Sequence, residues 1–482
     1  MILHYIFIGV TLFILIWLSY SSSRAVKDYE DFNLAGRRTK LFPLVASLTS
    51  SELNTATLIG GASVAYSFGT VGMWYTSIVF FMIFGVYAFT VARPYRRLKI
   101  STVPQYFDRR FNSHSKISEP LRILATILSL IYPWFAPASY LAGLSVIGSI
   151  FLGVNPVFFA TTVVIICLIL SLAGGLVTSI RIDVFAFILM AIAIPIMFII
   201  GVNAAGGFGN LSDVYEPKLL SMAPVWDTDV NFPIALTWGL QITFMFIGLP
   251  SYAQRAFSAK SDKIAFTAMI INMFLVVILY AFVVLATMLS KVVMPNLASP
   301  EEALPLLIVN HSSPLIQAFL LIALLMIAVG TLIAVWNGAV SVVINDIVKR
   351  YLIKNKNDNY YINLSRVVLV AIALCTVILG IFFIGSVQAS LLYLSVFAGI
   401  VAMPILISLY WKRYNTIAAL LTMIVGLIYS LITLIMNLPL YYVSPIAAVL
   451  SLLTGIIVTI LTTNKENPDI DEEFYKTIKT SD

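Results

Sequence analysis

Apolar runs of about twenty residues, the length that crosses a bilayer as a helix, alternate with short polar loops along almost all of this 482-residue chain. The pattern predicts an all-α bundle of membrane-spanning helices. The first run, residues 5–20, has no basic segment before it and no small-residue cleavage site after it, so it reads as a retained helix rather than a signal peptide. Further spans are expected near 72–92, 121–148, 156–175, 183–201, 234–253, 264–290, 316–344, 365–384, 387–410, 415–435 and 443–462. With 5–20 and the stretch 43–69, this gives about 13 spans at one per ~20 apolar residues.

The stretch from Pro43 to Gly69 breaks the pattern. Its ends are apolar, but Ser47, Thr49, Ser50, Ser51, Glu52, Asn54, Thr55 and Thr57 crowd its centre. Such a cluster cannot face lipid: a charged side chain at mid-membrane costs at least ~2.5–3.5 kcal/mol, and it marks a functional site by default. The expectation is a broken helix whose interruption is tolerated because it lines a cavity or is enclosed in protein. Five spans later, WGLQITFMFIGLPSYAQR at 238–255 is interrupted by Gly248 and Pro250. Paired interruptions at matching positions in two halves point to the binding site of an inverted-repeat transporter.

Composition excludes a soluble domain: 60% of residues are hydrophobic, 11% are charged, and the mean hydropathy is +0.98. The net charge of +7 is not a nucleic-acid footprint, because every Lys and Arg except Lys218 and Lys291 falls in a loop or tail that the alternation puts on one side. By the positive-inside rule that side is the cytoplasm, which places the N-terminus outside and the C-terminus inside. Glu52 is the lone acid expected deep in a span, and Asp183 opens another beside Arg181. Cys167 and Cys375 sit in apolar runs and read as packing residues, while His4, His114 and His311 are too dispersed for a metal site. The loops 202–233 and 291–315 are long enough for short interfacial helices or for plain solvated connectors, and the polar tail is expected to be disordered.

Four motifs, in order and at the appropriate spans, carry a resemblance to a known family. They are FNLAGRR at 32–38, LSLAGGLVTSIRIDVFAF at 170–187, QRAFSAKS at 254–261 and NGAVSVVINDIVKRY at 337–351. The chain resembles the sodium:solute symporter family. That resemblance implies a LeuT-type five-plus-five inverted repeat, with discontinuous first and sixth core helices. Residues 1–21 would form an extra leading helix, 22–410 the transporter core, 411–462 two additional helices and 463–482 the cytoplasmic tail.

The family's common sodium site, carried over residue by residue, uses the carbonyls of Ser50 and Leu53 at the first break, with Ile327, Gly330 and Thr331 on the eighth core helix. Gly330 departs from the usual serine, so one hydroxyl ligand is expected to be lost. A second sodium site found in some members would involve Asp183, but the matching hydroxyl positions are Ile333 and Ala334. That site is therefore expected to be absent, with Asp183 pairing with Arg181 or capping its helix. Side chains beside the breaks are expected to meet the solute: Glu52, Asn54 and Thr57 from the first, Gln241 and Phe246 from the second. Trp74, Trp134 and Tyr252 could stack on a solute, close a gate or simply pack.

Glu52 sits where the family's proline symporters carry an aspartate, and four roles are open to it. It could compensate the sodium site electrostatically, exchange a coupling proton, contact a substrate ammonium, or stay protonated as a structural group. The third core helix, LIYPWFAPASY at 130–140, lacks the arginine of sialic-acid symporters, which counts against a strongly anionic substrate. The expectation is a non-enzymatic secondary transporter importing a small polar solute (an amino acid, a sugar or a similar metabolite) with Na+ as coupling ion. It is expected to work as a monomeric transport unit in a bacterial inner membrane. A proton-coupled carrier of the same fold and a transporter-like sensor are the alternatives, although the short tail leaves no room for a signalling domain.

Overall fold

The computed structural model describes residues 2–111, 117–223, 225–226, 231–383, 395–436, 438, 440–462 and 468–480. The named elements among these are helices, in keeping with the expected all-α fold class, and a single isolated bridge joins Thr39 and Ala259. In chain order the main helices are α1 (Ile2–Ser23), α2 (Leu41–Glu52), α3 (Thr55–Phe68), α4 (Val71–Arg97), α5 (Pro104–Phe111), α6 (Ser118–Leu152), α7 (Pro156–Ala205) and α8 (Phe232–Gly248). There follow α9 (Pro250–Ser258), α10 (Asp262–Val293), α11 (Ala303–His311), α12 (Pro314–Leu352), α13 (Asp358–Phe383), α14 (Ser395–Tyr410), α15 (Thr416–Ile435), α16 (Leu440–Thr462) and α17 (Pro468–Lys479).

Among the described residues, nine helices are long and apolar enough to cross a membrane, and ten if the bent pair α8 and α9 counts as one span. The chain is a multi-pass membrane protein. The expected spans 156–175 and 183–201 form one 50-residue element, α7, with non-helical backbone at Gly174 and Gly175. Gly175 has φ +53°, and a Cβ there would lie 2.4 Å from the Phe32 carbonyl oxygen, so close packing on the first loop requires glycine. The start of the expected span 387–410 falls among residues 384–394, which lie outside the described residues.

Side-chain caps set several helix starts. Asn155, Asn231, Ser261 and Asn415 each accept a hydrogen bond from the backbone N–H three residues on, and proline fills the first turn of α7 and α8. At the centre stands α12, buried along nearly its whole length and packed against α2, α6, α7, α9 and α13. Two of its glycines let neighbours approach closely, side-chain oxygens at Gly330 and backbone at Gly338. A Cβ on Gly330 would meet Ser50 and Asp183, and a Cβ on Gly338 would meet the Ser251 nitrogen at 2.6 Å.

The tail corrects an expectation. Pro468–Lys479 is a helix, with Phe474 and Tyr475 buried against the rest of the chain. Tyr475 donates to the Ser408 carbonyl at 2.5 Å, and Arg97 donates to the Ile478 carbonyl at 2.6 Å. Both long loops carry short helical turns among the described residues. Residues Gly209–Asp213, Pro217–Leu220 and Pro300–Glu302 form 3₁₀ turns, and Ala303–His311 is α11. The Tyr215 hydroxyl lies 2.9 Å from the Ala65 carbonyl and 2.8 Å from that of Tyr66, which holds the first of these loops onto α3.

Candidate functional site

The first broken segment opens at Leu53 (ψ 61°) and Asn54 (ψ 159°), between α2 and α3. Local polar groups drive the break. The Asn54 N–H, which would otherwise close onto the Ser50 carbonyl, donates to the Glu52 carbonyl at 2.7 Å. Asn54 Oδ1 then takes the Thr57 N–H at 2.8 Å, the one that would otherwise close onto the Leu53 carbonyl, and the Thr57 hydroxyl at 3.0 Å. The Ser50 and Leu53 carbonyls are thereby released from the helical ladder.

Across from them, α12 presents Ile327, Gly330 and Thr331. The Thr331 hydroxyl is 3.0 Å from the Ile327 carbonyl and 3.4 Å from that of Ser51. A Cβ on Gly330 would lie 2.8 Å from Ser50 Oγ and 2.9 Å from Asp183 Oδ1, so these two oxygens close over the place where a side chain is missing. Both are buried, and neither has a hydrogen-bond partner among the described residues. Ser50, Ile327, Gly330 and Thr331 thus come together, and Leu53 lies at the adjoining break.

The second break falls at Leu249 (ψ 118°) and bends α8 from α9 by 55°. Three residues into α9, the Tyr252 hydroxyl donates to Glu52 Oε2. The Phe246 ring stacks obliquely on Tyr252 at 4.2 Å between centroids. The Tyr280 hydroxyl donates to the Glu52 carbonyl at 3.1 Å, and its ring stacks on Phe80 at 4.9 Å. Glu52, Asn54, Thr57 and Phe246 therefore gather at the meeting of the two breaks. Gln241 does not join them: two turns up α8, it donates to Ser395 Oγ at 2.6 Å and lines a crevice against α14. Trp74 packs on Phe232 at 4.6 Å between ring centroids, and Trp134 is a partly buried packing residue.

Asp183 corrects another expectation. It pairs with Arg255, not with Arg181, whose guanidinium instead donates to Ser21 Oγ at 2.8 Å. Asp183 Oδ2 accepts from Arg255 Nη2 at 3.0 Å and from Ser47 Oγ at 2.5 Å, and all of this is buried. Arg255 also donates to Ser47 Oγ at 2.8 Å and to the Ser251 carbonyl at 3.0 Å. One ion pair thus joins α2, α7 and α9 directly beside the oxygens over Gly330. Arg255 was expected in a cytoplasmic loop, and its position straight after the second break was the signal for an inward role.

The arrangement offers a hard cation a set of oxygens and places a carboxylate at the junction of two broken helices. The chain is 23% identical to a sodium/glucose cotransporter of Vibrio parahaemolyticus, over 91% of this chain and 86% of that protein. It is 22% identical to a sodium/pantothenate symporter of Haemophilus influenzae, over 87% of this chain and 89% of that one. Among solved structures, a Na+-coupled sialic acid symporter in a substrate-bound outward-open state superposes with a TM-score of 0.84 at 18% identity, covering 96% of this chain and 99% of that one. The sequence pattern of the Sodium:solute symporter family matches residues 32–426, and the chain belongs to that family.

Proposed function

We propose that this chain is a secondary active transporter that imports a small polar organic solute, such as an amino acid or a sugar, down the inward sodium gradient. Sodium, a co-substrate here, takes oxygens from the Ser50, Leu53 and Ile327 carbonyls and the Thr331 hydroxyl. Ser50 Oγ supplies the hydroxyl that Gly330 cannot. The observation that carries this reading is the release of the Ser50 and Leu53 carbonyls opposite Thr331. Bound sodium ties α2 to α12 and favours the outward-open state, solute binds beside it, and rocking of the broken helices exposes both to the cytoplasm. Coupling arises because each ligand binds one state more tightly than the other.

Glu52, held in place by Tyr252, strengthens the sodium site electrostatically, while Asn54, Thr57 and Phe246 line the solute space. The N-terminus lies outside and the C-terminus inside a bacterial inner membrane, as the loop charges support. One polypeptide is the transport unit, and no covalent chemistry is catalysed.

The test is thermal stability of the detergent-purified protein across sodium concentrations at fixed ionic strength, with potassium or choline as replacement. A ligand at 100 times its Kd stabilises by about 2.7 kcal/mol. A sodium-specific rise in melting temperature, lost in Thr331→Ala, supports the site. A melting temperature that ignores sodium but follows pH, with the pH response lost in Glu52→Gln, would replace this reading with proton coupling.

A further inference from the structure

The geometry points to a binding site for an anionic phospholipid headgroup at the membrane edge, between the end of α1, the start of α2 and the part of α7 beyond its glycine turn. A cavity of about 480 Å³ lies there. Its polar wall carries Arg38, Lys40 and Arg181, and its apolar wall includes Leu18, Pro43 and Val177. The double-glycine turn seats Gly175 on the Phe32 carbonyl, and Arg181, six residues on, lines the cavity together with the loop after α1.

Charge favours an anion. Arg38 pairs with the buried Asp31 while two-thirds of its own side chain stays exposed. The other two cations form no ion pair with a carboxylate among the described residues. The 12-residue α2 starts at this cavity with Lys40 as its N-cap and no side-chain hydrogen bond to its first turn, so the positive end of the helix dipole adds to the field.

The surroundings decide in favour of a lipid over a soluble anion. Trp17, Tyr20 and Phe42 lie within two residues in sequence of the lining residues Leu18 and Pro43 and are each more than half exposed. Amphipathic rings of this kind collect at the headgroup level of a bilayer. The cavity therefore opens where headgroup phosphates lie, with an apolar wall for the first acyl carbons. Basic pockets between spans on the cytoplasmic side recognise anionic headgroups by this combination. The inference rests on membrane placement and on the loop charges, and it is independent of the solute and sodium assignments.

The experiment measures the melting temperature of the purified full chain in a neutral detergent with added phosphatidylglycerol, phosphatidylcholine or soluble glycerol phosphate. Wild type is compared with Arg38→Gln/Lys40→Gln/Arg181→Gln and with Lys412→Gln/Arg413→Gln as a charge control. Phosphatidylglycerol is expected to raise the wild-type value by several degrees over phosphatidylcholine, the triple variant to lose at least half of that rise, and the control to keep it. Equal responses to the two lipids, a rise retained in the triple variant, or a rise reproduced by glycerol phosphate would each overturn the proposal. If the triple variant does not fold, Lys40→Gln is compared with wild type by native mass spectrometry: fewer retained phosphatidylglycerol molecules support the site, and equal numbers overturn it.

Discussion

Tyr252, just past the break between α8 and α9, donates its hydroxyl hydrogen to the carboxylate of Glu52 at the end of α2, and so joins the two interrupted helices through one buried contact. A hydrogen bond to a charged group contributes about 1.5–3 kcal/mol. Tyr252→Phe is expected to raise the sodium concentration for half-maximal uptake by roughly tenfold, the equivalent of 1.4 kcal/mol. Glu52→Gln, which keeps an acceptor but removes the charge, should raise it further. Sodium titrations of radiolabelled solute uptake in proteoliposomes check both, and an unchanged sodium dependence in Glu52→Gln would remove the carboxylate from the sodium site.

Gly330 and Ser50 are expected to depend on each other. A Cβ on Gly330 would come within 2.8 Å of Ser50 Oγ, so Gly330→Ser alone overpacks a buried position, at a cost of about 1–3 kcal/mol. Adding Ser50→Ala relieves the closer of the two contacts, leaving Asp183 Oδ1 at 2.9 Å, and moves the hydroxyl from α2 back to α12. Melting temperature and its response to sodium should fall in the single variant and recover substantially in the double. A double variant no better than Gly330→Ser would show that the two positions do not share one space.

The Asp183–Arg255 pair gives a stability prediction with a defined sign. Removing one member of a buried pair strands a charge and costs about 3–5 kcal/mol, whereas replacing both with apolar groups of similar size is often far less harmful. Asp183→Leu and Arg255→Met should each lower the melting temperature sharply, and the double variant should lie well above the sum of the two losses. Additive losses in a thermal-shift double-mutant cycle would argue against direct coupling.

The tail helix is expected to undock by itself. Phe474 and Tyr475 bury their rings against α5 and α14, and Arg97 at the end of α4 donates to the Ile478 carbonyl. Tyr475→Ala should speed tryptic cleavage at Lys476 and Lys479 at least tenfold while leaving the global melting temperature within a few degrees, because local opening draws on few contacts. Timed digestion followed by mass spectrometry reads this directly.

What the sequence revealed depended on how local the cause was. The first break was legible because Asn54 and the hydroxyls that rearrange the backbone lie within one turn of it, and the second because Gly248 and Pro250 mark it. The pairing of Asp183 with Arg255 links residues 72 apart, and no local pattern encodes it. Loop charge counting put Arg255 with the solvated cations because it sees only distance from an apolar run. Gln241 turned toward Ser395 because its direction depends on how α8 rotates against α14, which periodicity does not fix. In the tail, the acidic and polar composition outweighed the spacing of Phe474, Tyr475 and Ile478, which places an apolar stripe on one helical face.

Gly330 and Gly338 lie eight residues apart on α12, about 12 Å along its axis at 1.5 Å per residue and about 80° apart around it. One faces the first broken helix and the other the second, each with no side chain to interlock. A central post that touches both moving parts through bare backbone behaves as a bearing. On the proposed mechanism, a tilt of either broken helix would meet α12 at a position that carries no side chain, which lowers the repacking that each cycle requires.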